Sequence, residues 1–418
     1  MKDAPSSAAP AAERAALAAA LEHVWAQHDA GFEGVLDTPF IRADKIGEQL
    51  GCELWVKLEN LQHTGSFKER GALAKLLSLT DAERAAGVAA ASAGNHAQGV
   101  ARHAGRLGVR AVIVMPRGTP IVKVRQTEAL GAEAVIEGDT FDEAQAHCEA
   151  LCAREGLTAV HPFDDPYVIA GQSTIAREML RDVPDLDVIV APIGGGGLLS
   201  GTALAARAMK PGIELVGVQA ELFPALVNAI DGEDRPVGGY TLAEGIAVKR
   251  PGALTAALIH ELVDDVILAG EPALEHALNV YLSDLKTLAE GAGAAGLAGM
   301  LQSPDRFAGR KCATILCGGN IDSRLLSSIL LRGLARSGRM ARLRIELIDI
   351  PGQLVKVSEV IAESGGNVID VAYHRVFSDL PAKVTYIDIS VEAHDRAHME
   401  RVLAALRGAG FKVETAGY

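Results

Sequence analysis

Residues 58–72, Leu-Glu-Asn-Leu-Gln-His-Thr-Gly-Ser-Phe-Lys-Glu-Arg-Gly-Ala, mark a passage from a predicted strand into a predicted helix. Glu53–Leu58 alternates polar with apolar residues as a half-buried strand does, and residues 72–79 are rich in the helix formers Ala and Leu. Ser66 is a suitable helix cap, which places Lys68 in the first turn. The positive end of the helix dipole disfavours an ammonium there, so the pKa of Lys68 should fall and its free amine can attack an aldehyde. Taken alone, a solvated surface lysine is the simpler interpretation of Lys68.

Outward from this stretch, short apolar segments alternate with helical ones from residue 53 to about residue 337. The segments predicted as strands are residues 88–91, 111–115, 133–136, 188–191, 215–219, 265–268 and 313–316. Such alternation predicts an α/β fold with a doubly wound parallel sheet. Ligands of these folds bind beyond the carboxyl ends of the strands.

Three loops follow predicted strands and carry residues suited to a ligand. Residues 92–96 read Ser-Ala-Gly-Asn-His, in which small residues let backbone amides converge on an anion and Asn95 can add a side-chain hydrogen bond, although an ordinary turn would read the same. Residues 194–197 are four consecutive glycines before a helix. This segment, the glycine loop, is predicted to bind a phosphate. Residues 317–320 read Cys-Gly-Gly-Asn and turn Cys317 towards the same crevice, while Glu-Gly-Ala-Gly at 290–293 is a weaker signal.

One lysine, one phosphate-binding loop and one asparagine loop together require a phosphorylated aldehyde. Pyridoxal phosphate is such a cofactor, because enzymes hold it through a lysine, a phosphate clamp and groups that tune its ring. The sequence therefore predicts pyridoxal phosphate as the cofactor.

The composition excludes several classes of function. The chain has 418 residues and a net charge of −13, without a basic helix face, so a nucleic-acid partner is not expected. No apolar run is long enough to span a membrane, and the start of the chain lacks the pattern of a signal peptide, which predicts a cytoplasmic protein. The cysteines are few and odd in number, as expected of reduced thiols and not of a disulfide framework. Cys148 and Cys152 stand four residues apart, but no further ligands complete a zinc site and no metal is predicted.

These residues resemble the fold-type II pyridoxal phosphate enzymes, and within them the threonine/serine dehydratases, or ammonia-lyases. The shared motifs keep the family's order over nearly all of residues 30–335. They are Thr38-Pro39, Lys57-Leu58-Glu59-Asn60, Gly65-Ser66-Phe67-Lys68-Glu69-Arg70-Gly71-Ala72, Ser92-Ala93-Gly94-Asn95-His96, Asp165-Pro166-Tyr167-Val168-Ile169-Ala170-Gly171-Gln172, the glycine loop, Glu244-Gly245-Ile246-Ala247-Val248-Lys249, Glu290-Gly291-Ala292-Gly293 and Cys317-Gly318-Gly319-Asn320. The resemblance implies a catalytic domain of two doubly wound α/β subdomains.

The resemblance also implies roles for single residues. Lys68 would be the Schiff-base lysine and the base that removes the Cα proton of the substrate. Phe67 would pack beside the cofactor ring, Asn95 would hydrogen-bond its phenolic oxygen, and Cys317 would face its pyridine nitrogen. The cofactor phosphate would be held by the backbone amides of Gly194, Gly195, Gly196, Gly197 and Leu198. The substrate carboxylate would be bound by the loop of Ser92, Ala93, Gly94, Asn95 and His96.

The chain departs from related enzymes at a few positions. Cys317 stands where most threonine dehydratases have Ser and where serine dehydratases often have Cys. A thiol, like a hydroxyl, leaves the pyridine nitrogen of the cofactor unprotonated, which favours elimination. The preference for threonine or serine therefore stays open. Ala93 stands where racemases carry a Ser, and racemisation needs a proton donor on each face, so a racemase is disfavoured. Gln219 and Ala225 occupy positions that are acidic in the racemases' cation site.

A second domain is predicted over residues 340–418, where the order of elements becomes βαββαβ, as in a ferredoxin-like fold. Asp-Ile-Pro-Gly-Gln-Leu at 349–354 resembles the ACT domain, an amino-acid-sensing module. A helix start there can take a carboxylate, and Gly352 permits its close approach. Gly352, Leu354 and Asn367 are predicted near an effector pocket at the interface between two ACT domains. A purely structural dimerisation domain is the alternative.

The sequence therefore predicts a cytoplasmic L-threonine ammonia-lyase that also accepts L-serine. Isoleucine biosynthesis is the suggested pathway, and a catabolic role stays open. Its parts are an N-terminal tail and helix over residues 1–30, a pyridoxal phosphate domain over 31–335 and an ACT-like domain over 340–418. Isoleucine or valine is the expected effector, and a homo-oligomer, tetramer or dimer, is the expected assembly. A serine-specific or hydroxyaspartate dehydratase and a non-catalytic amino-acid sensor are the alternatives.

Overall fold

A computed structural model describes residues 11–374 and 381–415, which form two compact units divided between Ile321 and Asp322. The first ten residues of the predicted N-terminal tail lie outside the described residues. The first unit holds every residue of the predicted cofactor site.

The strands of the first unit come in chain order between its helices. They are β1 (Phe40–Arg42), β2 (Glu53–Leu58), β3 (Val88–Ala91), β4 (Ala111–Met115), β5 (Glu133–Ile136), β6 (Thr158–Ala159), β7 (Val188–Ile193), β8 (Glu214–Ala220), β9 (Asp265–Ala269) and β10 (Lys311–Leu316). All of the predicted strands are present: β2, β3, β4 and β5 have the predicted bounds, and β7, β8, β9 and β10 are one or two residues longer.

The helices of the first unit connect these strands. They are α1 (Ala11–Asp29), α2 (Asp44–Leu50), α3 (Lys68–Leu77), α4 (Asp81–Ala86), α5 (Asn95–Leu107), α6 (Ile121–Ala129), α7 (Phe141–Glu155), α8 (Pro166–Asp182), α9 (Gly197–Met209), α10 (Ala225–Asp231), α11 (Ala253–Leu262), α12 (Glu271–Ser283), α13 (Gly291–Gln302) and α14 (Pro304–Phe307). Two short 3₁₀ helices occupy Glu59–Leu61 and Glu244–Ile246. None of the helices in the described part of the chain is long and apolar enough to cross a membrane.

Two sheets organise the first unit. The larger has the order β1-β2-β10-β7-β8-β9 and is parallel except for β1, whereas the smaller has the order β5-β4-β3-β6 and is entirely parallel. Non-consecutive neighbours joined through helices are the mark of a doubly wound fold. The predicted α/β fold with two subdomains is therefore confirmed.

Small residues let α13 lie directly on the larger sheet. Its sequence is mostly Gly and Ala, and its residues from Gly291 to Met300 are buried. A Cβ atom at Gly296 would come within 2.3 Å of Thr314 Oγ1 on β10. This close packing of α13 on β10 fixes the position of the loop before α13 relative to the end of β10.

The start of α3 differs from the prediction. The helix begins at Lys68, and the capping position is taken by Phe67, without a side-chain capping hydrogen bond. Ser66 is therefore wrong as the cap; it instead forms an isolated antiparallel bridge with Gly318. Phe67 N donates to Cys317 O at 3.0 Å. A contact between residues 250 positions apart in the chain thus decides where this helix starts.

The second unit contains a helix, α15 (Ser323–Arg336), followed by the βαββαβ elements. These are β11 (Met340–Ile348), α16 (Gln353–Glu363), β12 (Asn367–His374), β13 (Val384–Glu392), α17 (Arg396–Gly408) and β14 (Lys412–Thr415). The sheet is antiparallel with the order β12-β13-β11-β14. The predicted ferredoxin-like order is confirmed.

Candidate active site

Lys68 lies at the start of α3, and its side chain reaches a cleft at the carboxyl edge of the larger sheet. Its Nζ donates to Pro162 O at 2.7 Å and lies 5.1 Å from the centre of the Phe67 ring. Burial lowers the pKa of Lys68 to about 8, although the acidic groups of Cys317 and Glu290 act in the opposite direction. A substantial fraction of this amine is therefore free at mildly alkaline pH, as attack on an aldehyde requires.

A turn after β6 holds the carbonyl of Pro162 towards Lys68. His161 Nδ1 accepts the amides of Phe163 and Asp164 at 3.3 and 2.8 Å. The carboxylate of Asp164 in turn accepts the amide of Thr255, near the start of α11, at 3.0 Å. These bonds fix the turn that carries Pro162. No sequence pattern had indicated a functional residue in this turn.

The glycine loop follows β7 and leads into α9. Gly196 has a φ of +98°, which favours glycine, and a Cβ atom at Gly195 would come within 2.3 Å of the Phe163 ring. Thr255 Oγ1 donates to Gly195 O at 2.7 Å and holds the loop from behind. The other predicted members of this loop, Gly197 and Leu198, are the first two residues of α9.

The amides of this loop suit a phosphate. Within residues 11–374 and 381–415, the N–H groups of Gly194, Gly195 and Gly196 donate to no protein acceptor, although the latter two residues are buried. Buried amides normally find an acceptor, and the positive end of the α9 dipole lies beside these three. An anionic group would supply the acceptor.

Asn95 is the first residue of α5, and both ends of its amide are fixed. Its Nδ2 donates to Glu290 Oε1 at 2.7 Å, and its Oδ1 accepts Asn320 Nδ2 at 2.8 Å. Asn320 Nδ2 also donates to Thr64 O at 2.7 Å, which ties it to the loop before Lys68. Because an amide nitrogen carries two hydrogens, one N–H of Asn95 remains for a ligand.

Glu290 also lies in the cleft. The Glu-Gly-Ala-Gly pattern was only a weak signal that it belongs to the site. Glu290 is partly buried at the start of α13, and a Cβ atom at Gly318 would come within 2.3 Å of its Oε1. Burial raises its pKa to about 7, and the hydrogen bond from Asn95 limits this rise. The carboxyl group therefore titrates near neutral pH beside the amine of Lys68.

Cys317 follows β10 and is almost fully buried. Its Sγ donates to Ala292 O at 3.5 Å. Burial and the carboxyl group of Glu290 raise the pKa of this thiol far above its ordinary value. It is therefore a neutral hydrogen-bonding group and not a thiolate.

The loop of residues 92–96 contributes mainly backbone groups and a neutral histidine. Ser92 Oγ accepts the amide of Gly94 at 3.2 Å, while Ala93 is half-buried beside it. The ring of His96 is buried, with Nε2 2.8 Å from Val160 O. Burial lowers the pKa of His96 to about 3, and the nearby ammonium of Lys68 acts in the same direction.

The structure thus brings the loop of residues 92–96, at the end of β3 in the smaller sheet, against the predicted cofactor residues at the carboxyl edge of the larger sheet. The predicted effector residues lie in the second unit. Gly352 and Leu354 line a cavity of about 260 Å³ beside the end of β11. Asn367 is the first residue of β12, whereas Tyr373 near the far end of that strand lines the cavity. Asn367 does not line this cavity within one chain, and its place at an effector pocket between two ACT domains stays a prediction.

Comparison with known proteins places these features in a family. The sequence profile of the pyridoxal-phosphate dependent enzymes matches residues 32–318, and that of the ACT domain matches residues 336–409. An L-threonine ammonia-lyase of Thermotoga maritima is 42% identical over 374 residues, which cover 89% of this chain and 93% of the relative. An L-threonine ammonia-lyase of Geobacter sulfurreducens is 41% identical over 380 residues, or 90% of this chain and 94% of the relative.

A solved structure shows the same likeness. The processed form of threonine deaminase isoform 2 from Solanum lycopersicum superimposes with a TM-score of 0.72 at 33% sequence identity. The match covers 78% of this chain and 90% of that protein.

Proposed function

Because the chain belongs to the family of pyridoxal-phosphate dependent enzymes and carries an ACT domain, we propose that it is an L-threonine ammonia-lyase. It converts L-threonine to 2-oxobutanoate and ammonia, and L-serine to pyruvate and ammonia. The observation that carries the proposal is a half-buried lysine with a lowered pKa at the edge where buried glycine amides lack acceptors. The catalytic domain is assigned to residues 31–335 and the regulatory domain to residues 340–418.

Each cofactor-binding residue has a task that its surroundings support. Lys68 would hold the aldehyde of the cofactor, the amides of the glycine loop would hold its phosphate, and the spare N–H of Asn95 would donate to its phenolic oxygen. Cys317 would face the pyridine nitrogen as a neutral thiol, because burial raises its pKa and keeps it protonated. Bound pyridoxal phosphate supplies an electron-withdrawing ring that makes the Cα proton of an amino acid acidic.

The remaining steps belong to side chains and backbone of this chain. Pro162 O orients the amine of Lys68, which would take the Cα proton of a bound substrate. The loop of residues 92–96 binds the substrate carboxylate through its amides. His96 stays neutral, so that the positive charge in the site belongs to Lys68.

The experiment that tests the proposal is keto-acid release over a panel of hydroxy amino acids. L-threonine should give the highest kcat/KM, with L-serine below it and 3-hydroxyaspartate far below both. A preference for 3-hydroxyaspartate would make the chain a different dehydratase. Binding of amino acids without keto-acid release would make it a sensor and would contradict the proposal.

Glu290 should set the pH at which Lys68 attaches the cofactor. Above neutral pH the carboxylate of Glu290 is ionised and favours the ammonium form of Lys68, so its removal should lower the pKa of the amine. In the unchanged enzyme, the pH at which cofactor attachment reaches half its maximal rate should lie near 8. We expect Glu290→Gln to lower this pH. The measurement is the rate at which the visible absorbance of the lysine-bound cofactor appears after its addition to stripped protein.

The exposed Glu128 on α6 provides the matched control for this experiment. Glu128→Gln removes the same charge outside the cleft and should leave the half-maximal pH unchanged. An equal shift in both variants, or an upward shift in Glu290→Gln, would contradict the assigned role.

The cavity of the second unit suits a branched apolar amino acid, and isoleucine or valine is the proposed effector. It is lined by apolar side chains and by the start of α16, where backbone amides can take a carboxylate.

Gly352 has a φ of +89°, so Gly352→Val should strain this turn and weaken isoleucine binding by about tenfold or more. Calorimetric titration measures the affinity, and Gly408→Ala, an open position on α17, is the control. If neither amino acid changes activity or thermal stability of the unchanged enzyme, the sensing role fails.

The chain is also proposed to be a cytoplasmic homo-oligomer. β12 is an edge strand of the second sheet and exposes apolar side chains, of which Ile369 is 53% exposed. An apolar edge of this kind is normally covered by a partner, here a second copy. Light scattering of the full chain tests the assembly, and a monomer would contradict it. Cell fractionation tests the location.

A further inference from the structure

One face of α5 runs from the active site along the start of α3. Asn95, Gly99 and His103 stand four residues apart on α5 and therefore share this face. A Cβ atom at Gly99 would come within 3.3 Å of the carbonyl group of Lys68 and of the amide nitrogen of Glu69. The helix that begins with Asn95 thus lies directly against the backbone of Lys68.

Glu69 is a fully buried carboxylate between α5 and the loop before α3. Its Oε2 lies 3.3 Å from Nε2 of His103 and 3.6 Å from Nη1 of Arg102, both on α5. Its Oε1 accepts the backbone N–H of Thr64. Burial acts to raise the pKa of Glu69, but His103 and the N–H of Thr64 outweigh burial and hold this pKa below its ordinary value. The carboxyl group is therefore ionised at neutral pH and can only accept hydrogen bonds.

The loop before α3 extends these contacts to the loop after β10. Asn320 Nδ2 donates to Thr64 O at 2.7 Å, so Glu69 holds the N–H of Thr64 and Asn320 holds its carbonyl group. Gly319 N donates to Gly65 O at 2.9 Å. Gly65 has a φ of +74°, and a Cβ atom there would come within 2.6 Å of Asn320 Oδ1. The amide of Asn320 therefore depends on the position of the loop that Glu69 holds.

Asn320 returns the contacts to the start of α5. Its Nδ2 also donates to Asn95 Oδ1 at 2.8 Å, and the other end of the Asn95 amide, Nδ2, donates to Glu290 at 2.7 Å. Together with α5 itself, these contacts close a ring whose members are His103, Glu69, Thr64, Asn320 and Asn95. A displacement of Thr64 within this contact ring is therefore passed to the amide of Asn95.

We propose that Glu69 is a positioning residue that sets the orientation of the Asn95 amide through Thr64 and Asn320. The proposal rests on the function proposed above, in which the spare N–H of Asn95 donates to the phenolic oxygen of pyridoxal phosphate. Without the carboxylate of Glu69, the N–H of Thr64 loses its buried acceptor, and the loop moves to find another one. Asn320 moves with the loop, and the N–H of Asn95 is no longer held for the cofactor.

The test compares pyridoxal phosphate with 3-deoxypyridoxal phosphate, an analogue that lacks the phenolic oxygen. Equilibrium dialysis against the full-length protein stripped of cofactor gives both dissociation constants and hence the preference for pyridoxal phosphate over the analogue. The intrinsic difference between the two aldehydes is the same for every variant, so a change in this preference reports the hydrogen bond to the phenolic oxygen. Glu69→Ala should lower the preference at least about fivefold, since a hydrogen bond to a charged oxygen contributes about tenfold or more.

Three further variants separate positioning from general stability. Glu69→Gln keeps an oxygen that can accept the N–H of Thr64, so it should retain the preference within about twofold. Leu76→Ala removes a fully buried apolar side chain from the same helix; it should destabilise the protein and leave the preference unchanged. Asn320→Ala alters an exposed residue and should lower the preference as Glu69→Ala does. Both alanine substitutions together should lower it no further than Asn320→Ala alone, because the contact ring is already open.

Equal weakening of both ligands in Glu69→Ala would overturn the proposal, since it would show that Glu69 supports only the fold. Additive losses in the double variant, or an equal loss in Leu76→Ala, would overturn it as well. An unchanged preference in Asn320→Ala would do so whether or not Glu69→Ala folds, because the connection runs through that amide. No amino acid enters these measurements, so a chain that acts on another substrate leaves them intact. Failure of the unchanged protein to bind pyridoxal phosphate would contradict the proposed function and this inference together.

Discussion

Lys68→Ala is expected to abolish keto-acid release, with a loss of at least about 10³-fold in kcat, because one amine both attaches the cofactor and moves the Cα proton. The visible absorbance of the lysine-bound cofactor should vanish in the same variant. Keto-acid assays and absorbance spectra of the purified protein measure the two effects together.

The control is Lys45→Ala, which removes an exposed lysine from α2. It should keep both the activity and the absorbance. If Lys68→Ala kept the absorbance, another lysine would hold the cofactor, and a colourless unchanged protein would contradict the cofactor itself.

Arg70→Leu should cause the largest loss of stability among single substitutions near the site, about 3–5 kcal/mol in the free energy of unfolding. Arg70 is fully buried between two carboxylates. Its guanidinium makes paired hydrogen bonds with Glu59, at 2.9 and 2.8 Å, and with Glu178, at 2.6 and 2.8 Å. Glu178 also pairs with the buried Lys57 at 2.6 Å. Removal of Arg70 alone leaves the buried carboxylate of Glu59 without its ion-pair partner, while Glu178 keeps Lys57.

Urea unfolding followed by tryptophan fluorescence measures this effect. Both tryptophans of the sequence, Trp25 and Trp55, lie in the first unit and report on it. Arg181→Leu is the matched control: Arg181 also pairs with two carboxylates, but it is 53% exposed and should contribute at most about 1 kcal/mol. Equal losses in the two variants would show that burial of the Arg70 network is unimportant.

Much of the fold was predictable because its signals are local. Four-residue apolar strands such as Val88–Ala91 and the four glycines after β7 stand out within a few residues of sequence. The family motifs then ordered these segments into a fold, and the alternation of strands and helices agrees with the observed sheets.

Long-range contacts limited the prediction of the site. Ser66 has the composition of a helix cap, but its backbone pairs with Gly318, which no local pattern reveals. Pro162 offers only a carbonyl, and its importance depends on the distance to Lys68. Glu290 belongs to a short glycine-rich motif, and only the packing of Gly318 and Asn95 against its carboxyl group shows where it points.

The bridge between Ser66 and Gly318 also bears on the order of events during synthesis. Translation produces Lys68 early. β10, which pairs with the strand before the lysine loop, and Asn320, which hydrogen-bonds to that loop, are synthesised some 250 residues later. A nascent chain should therefore remain unable to take up the vitamin B6 coenzyme until three-quarters of it has been made. Ribosome-released fragments that stop before residue 310 should stay colourless, and coenzyme uptake by such a fragment would contradict this order.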